Sequence, residues 1–160
     1  MKARMFAGVA ALVVVAAACG SGGSARALPS RAGQFRLAEW SITADKPTLP
    51  AGRQTITAAN IGHETHELVV VKAADAASLP TKPDGSVDES QLDQVKVGEI
   101  ADVPAGTSRH TTMQLAPGSY VVFCNIVDKM GNGNGGMGQM GGGMRHVHFD
   151  LGMHASFTVA

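Results

Sequence analysis

The sequence is poor in aromatic residues and has no excess of either charge. One tryptophan, one tyrosine and five phenylalanines make up only 4% of its 160 residues. Thirteen basic residues balance thirteen acidic ones, so no basic face points to nucleic acid. There is no long amphipathic helical pattern and no internal repeat. No Ser/His/Asp or paired-carboxylate arrangement supports an enzyme. Cysteine is scarce, with Cys19 and Cys124 as its two occurrences. Glycine, by contrast, is abundant at 20 residues, and many of these fall in one tract. The length suits one domain plus a targeting segment.

The N-terminus reads as that segment. Lys2 and Arg4 precede an apolar run, Met5 to Ala18, too short for a confident membrane span. Ala16-Ala17-Ala18 then leads to Cys19, the pattern of a bacterial lipoprotein signal. Residues 1–18 are expected to be removed and Cys19 to carry a lipid. Ordinary secretion after the alanines would instead leave Cys19 a free thiol. Both readings place the domain outside the cytoplasm. Cleavage would leave 11 basic against 13 acidic residues, too mild an imbalance to imply a charged partner. Residues 19–33 have a linker's composition, with a typical reach of roughly 20 Å.

Lipidation of Cys19 would leave Cys124 alone. Exported domains normally oxidise cysteines in pairs, so a single thiol there invites a chemical explanation; a buried inert cysteine is the alternative.

Residues 34–160 read as the folded domain. Short runs of β-formers recur between turn signals: Gln34 to Thr43, Arg53 to Asn60, His66 to Ala73, Val95 to Val103, Ser108 to Leu115, Tyr120 to Ile126 and His154 to Ala160. Asp75 to Gln94 is polar and proline-containing and reads as a long connection with one helical turn. About seven short strands without a long helix predict an all-β Greek-key sandwich.

Three stretches then stand together: TLPAGRQTITAANIGHETHELVVVKA, APGSYVVFCNI and HFDLGMHASFTV. In this order, with the LAPGSY turn before the cysteine, they resemble the cupredoxins, the plastocyanin–azurin group of type 1 (blue) copper proteins. The resemblance covers roughly Leu49 to Ala160. It implies one copper ion held by His66, Cys124, His148 and, as a weak axial ligand, Met153. Thiolate, imidazole and thioether suit both Cu(I) and Cu(II). His66 is favoured over His63 because it opens a strand, and His148 over His146 because it stands in H-x-x-x-G-M. His110 reads as a surface residue, and Trp40 and Tyr120 as packing residues rather than electron relays.

The chain departs from the family pattern twice. Cys124 and His148 lie 24 residues apart, where the family usually has only a few. This leaves His146, His154 and Met130 open as substitutes. Glu67 follows His66 where the family often has asparagine, so a backbone N–H can reach the thiolate but the side-chain amide is missing. The insertion includes a Gly/Met-rich tract, residues 131–143. Met130, Met137, Met140 and Met144 offer soft thioethers that could gather Cu(I), or the tract could be a tolerated loop or a surface for a partner.

Three functional readings follow. The first is one-electron transfer by a membrane-anchored monomer with a redox protein partner. The second is copper binding, buffering or delivery with a copper-handling partner. The third is a metal-free sandwich used as a binding module.

Overall fold

The computed structural model describes residues 33–129 and 145–160. The expected signal segment 1–18, the lipidation site Cys19, nearly all of the linker 19–33 and the Gly/Met tract 131–143 lie outside the described residues, as does Met130. Among the described residues no helix is long and apolar enough to cross a membrane.

Two sheets pack face to face. The first has the order β2 (Ser41–Ala44), β1 (Gly33–Ala38), β4 (Gly52–Asn60), β7 (Ser108–Leu115). The second has the order β3 (Thr48–Leu49), β11 (His154–Val159), β8 (Gly118–Phe123), β5 (His66–Val71), β6 (Lys96–Val103). β9 (Val127–Lys129) and β10 (Arg145–Val147) form a separate two-stranded ribbon. The β1–β4 and β3–β11 pairs are parallel, and the other pairs are antiparallel. The chain crosses between sheets from β4 to β5, from β6 to β7 and from β7 to β8, which is the Greek-key arrangement.

The burial pattern follows from residue alternation. Along β4, Gln54, Ile56, Ala58 and Asn60 turn inward while their neighbours face out. β5 breaks the alternation, with Leu68, Val69, Val70 and Val71 all buried. The reason is a second apolar cluster on the outer face of the second sheet. There Leu79, Val87 and Leu92, from the long connection after β5, cover Val69, Val71, Val121 and Phe123. A strand covered on both faces can be continuously hydrophobic. The connection contains two single 3₁₀ turns, Ala76–Ser78 and Glu89–Gln91, where one helical turn was expected.

The all-β sandwich agrees with the sequence expectation, but the described residues hold eleven strand segments rather than about seven. The expected first strand, Gln34 to Thr43, is two strands. The chain reverses at Glu39-Trp40, and β2 pairs back on β1 with Leu37 opposite Ile42. Phe35, Leu37 and Ile42 are all buried, but the intervening reversal interrupts the strand. β3 sits between the expected runs Gln34 to Thr43 and Arg53 to Asn60, and β9 and β10 sit inside the insertion.

The strand that leads to Cys124 is pinned at its start. The Tyr120 hydroxyl donates to the Ala116 carbonyl at 2.7 Å and accepts from the Ala116 N–H at 3.0 Å. Its ring stacks on Phe157 at 5.2 Å. Tyr120→Phe keeps the ring and deletes both bonds. It is expected to cost about 1 kcal/mol, the usual net value of such a bond. Urea unfolding measures this, with the exposed control Ile61→Ala expected to change little.

Candidate metal centre

Donor side chains converge at one end of the sandwich. β5 opens on His66, β8 delivers Cys124 one residue past its end, and the turn after β10 carries His148. All three are fully buried. One ligand atom from each lies within 4.8 Å of the other two. Cys124 Sγ is 3.3 Å from His148 Nδ1, and the Nδ1 atoms of His66 and His148 are 3.3 Å apart.

Backbone hydrogen bonds lace these elements together. The Cys124 N–H donates to the Met153 carbonyl at 3.0 Å, and the Met153 N–H donates to the His148 carbonyl at 3.0 Å. The His148 N–H donates to the Ile126 carbonyl at 3.0 Å. Met153 is fully buried in the same core. The tight return from His148 to Met153 depends on Gly152, whose φ of +106° is reserved largely for glycine.

The insertion does not spread the donors apart. Its two ends pair as β9 and β10, with Val127 opposite Val147, Asp128 opposite His146 and Lys129 opposite Arg145. The ribbon brings residues far apart in sequence back together at the foot of the metal centre. Of the rival residues, His63 is exposed. His146 packs on Trp40 at 5.5 Å between ring centroids, and His154 packs on Phe149 at 5.2 Å. His110 is exposed, in keeping with the surface position expected for it.

Glu67 clamps the cysteine from two sides. Its N–H donates to Cys124 Sγ at 3.4 Å, and its carboxylate accepts the Asn125 N–H at 2.9 Å. The Asn125 side chain ties the same corner to the long connection, bonding both backbone groups of Val87 and the Glu89 carboxylate. Burial raises the Glu67 pKa, and the nearby Glu99 and Glu89 charges add to the rise. A carboxyl group whose pKa is raised by folding contributes its stability below the unfolded pKa. That contribution is lost as pH climbs through the folded pKa. Glu67→Gln keeps an oxygen for Asn125 and removes the buried charge. It is expected to stabilise the metal-free protein by about 1 kcal/mol at pH 7, a typical single-substitution scale. The advantage should vanish near pH 4. Thermal melts at the two pH values check this.

The outer edge of each histidine meets a carboxylate. His66 Nε2 lies 3.2 Å from Glu39 Oε1, and His148 Nε2 lies 2.9 Å from Asp128 Oδ2. Glu64 stands farther from His148 Nε2, at 3.7 Å. Glu39 itself is held by the loop before β5. Its Oε1 accepts the His63 N–H at 2.7 Å and the Glu64 N–H at 2.8 Å. A Cβ on Gly62 would lie 2.5 Å from the same carboxylate, so glycine makes room for it. The Glu64 N–H is the strongest influence holding the Glu39 carboxyl down at about 2, and the His63 N–H and His66 imidazole act in the same sense.

These partners determine which ring nitrogen faces inward. A carboxylate favours a proton on Nε2, which leaves each Nδ1 lone pair turned to the centre. Burial lowers the His66 pKa, and the neighbouring His148 lowers it further, so His66 is neutral at pH 7. Burial pushes the Cys124 thiol up to about 12 in the metal-free chain. In this arrangement both Nδ1 atoms and the sulfur can point at a single cation. Two imidazoles and a thiol are the borderline and soft donors that suit copper in both oxidation states. The site residues therefore fit one copper ion.

Sequence reasoning did not identify Glu39, Asp128 or Asn125 as part of this site. Trp40 was expected to pack, but not against His148, whose ring centroid is 4.8 Å away. Glu39 and Trp40 lie far upstream in the reversal between β1 and β2, and no spacing rule links them to His66 or His148. Asp128 carried only a weak signal, a lone acid at the start of the insertion.

No protein-family model and no curated protein matches the sequence. Solved structures do. A dithionite-reduced auracyanin from the photosynthetic bacterium Roseiflexus castenholzii superposes with a TM-score of 0.50 at 22% identity, over 79% of this chain and 94% of that one. Auracyanin B gives 0.49 at 18% identity, over 83% and 91% of the two chains. Auracyanin A, described as a "blue" copper protein from Chloroflexus aurantiacus, gives 0.43 at 17% identity, over 79% and 96%. The first of these carries the fold assignment. The chain shares the cupredoxin-like β-sandwich fold of that auracyanin.

Proposed function

We propose that the chain is an extracytoplasmic, lipid-anchored type 1 copper protein that passes single electrons to and from a redox protein partner, acting as a monomer and not as an enzyme. The observation that carries this reading is the buried set of His66, Cys124 and His148, with ligand atoms within 4.8 Å of one another. Copper bound there would supply a one-electron Cu(I)/Cu(II) couple. His66, Cys124 and His148 would hold it, with Met153 as the weak fourth donor. The chain's own task is to keep these groups still and dry. Strand ends, backbone hydrogen bonds and outer carboxylates fix every donor, so little has to rearrange when the charge changes by one. The export signal in residues 1–18, Cys19 and the linker supports the location and the anchor.

Titration of the mature domain with Cu(II), followed by visible absorption and electron paramagnetic resonance, tests the proposal. One equivalent is expected to give an intense thiolate-to-copper band and a narrow copper hyperfine splitting. Weak colour with an ordinary type 2 signal would replace electron transfer with copper handling. Failure to bind Cu(II) or Cu(I) would leave only a sandwich used as a binding module.

A further inference from the structure

The insertion between Cys124 and His148 does more than lengthen a loop. Its first strand, β9, carries Asp128, and its last, β10, leads directly into His148. The register that pairs Asp128 with His146 sets the Asp128 carboxylate 2.9 Å from His148 Nε2. His148 is fully buried, while the Asp128 side chain is 48% exposed. The imidazole therefore reaches solvent through this carboxylate and not by itself. Glu39 does the same for His66 at 3.2 Å, with a side chain 22% exposed. Both candidate ligands thus have a carboxylate on the nitrogen facing away from the centre.

From this arrangement we infer that the insertion is a working part of the metal centre, and that Asp128, together with Glu39, is a positioning residue that lowers the centre's reduction potential. The inference rests on the copper reading above. A carboxylate accepting a ligand's N–H fixes the ring and raises its basicity. Negative charge close to the site also favours the doubly charged ion over the singly charged one. Both effects strengthen Cu(II) binding more than Cu(I) binding. Asp128 is the better residue to test, because Glu39 also holds two backbone N–H groups and its loss would disturb the loop.

The test compares wild type, Asp128→Asn, Asp128→Ala and the exposed control Asp93→Asn. Cu(II) and Cu(I) affinities are measured by chelator competition, and the potential by spectroelectrochemical titration. Asp128→Asn removes charge but can retain a hydrogen bond, whereas Asp128→Ala removes both. Cu(II) affinity is expected to fall about tenfold in Asp128→Ala, within the range seen for outer partners of metal ligands. With Cu(I) affinity unchanged, that is a rise of about 59 mV for one electron. Asp128→Asn should fall between this variant and wild type. Equal potentials in all four proteins, or a shift no larger than that of Asp93→Asn, would overturn the inference. So would a loss of thermal stability without a change in potential, because that is the signature of a purely structural ribbon. A wild type without a type 1 signal would refute the type 1 electron-transfer reading itself, a failure visible before any variant is made.

Discussion

Cys124→Ser is expected to abolish the intense visible absorption of the copper-loaded protein completely. The colour of a type 1 site comes from charge transfer between thiolate and Cu(II), and serine has no such orbital to offer. The substitution is close to isosteric. Cys124 is fully buried, and the Glu67 N–H that reaches its sulfur at 3.4 Å can donate to a hydroxyl instead. The fold should therefore survive. His66 and His148 would still hold Cu(II), now with an ordinary type 2 paramagnetic signal. Cu(I) affinity should fall by at least about tenfold, since the soft ligand is gone. Absorption, paramagnetic resonance and a Cu(I) competition assay read the three outcomes. Blue colour surviving in Cys124→Ser would remove Cys124 from the site.

The second large effect is a steep dependence of copper affinity on pH. In the metal-free chain burial raises the Cys124 pKa from 9.0 to about 12, so the thiol is protonated at neutral pH. Copper held as a thiolate complex would have to displace that proton. Between pH 7 and pH 9 the apparent affinity is expected to rise about tenfold per pH unit, one proton being released per copper. His66 adds nothing to the slope there, since burial lowers its pKa and it is already neutral. Its proton competes only at more acid pH. The same shift has the opposite sign for the metal-free fold. A thiol whose pKa is raised by folding contributes stability below its unfolded value. That stability is lost as pH rises from about 9 toward 12. Copper should offset this, adding about 4 kcal/mol at a free concentration one thousand times Kd. Chelator competition across the pH range and thermal melts with and without copper measure both effects. An affinity flat between pH 7 and pH 9 would mean that copper is not bound as a thiolate complex.

The insertion shows where sequence and structure part company. By count, a separation of 24 positions between Cys124 and His148 suggests a loosened site. In space, the pairing of β9 with β10 cancels that separation and adds Asp128 to the edge of His148. A strand pair formed within an insertion is invisible to linear spacing when each partner is only three residues long. The departure at Glu67 resolves in a similar way. The backbone N–H reaches the sulfur as the resemblance implied, and the side chain takes up a separate bond to Asn125.

What the sequence determined by itself is local and periodic. Alternation in β4, the continuous run in β5 and the turn signals around them specify strands, because a side-chain period of two and the residues that break it are written in adjacent positions. The order of His66, Cys124, His148 and Met153 likewise carried the suggestion of copper, because ligand chemistry resides in residue type. The tertiary structure decided what depends on long-range proximity. It split the first strand at Glu39-Trp40 and folded the reversal against the site. It placed Glu39 on His66 across 27 residues and Asp128 on His148 across 20. Those contacts set which imidazole nitrogen faces the centre. The physical reason is that a hydrogen bond depends on distance in space, and the packing of two sheets, rather than any local pattern, fixes that distance.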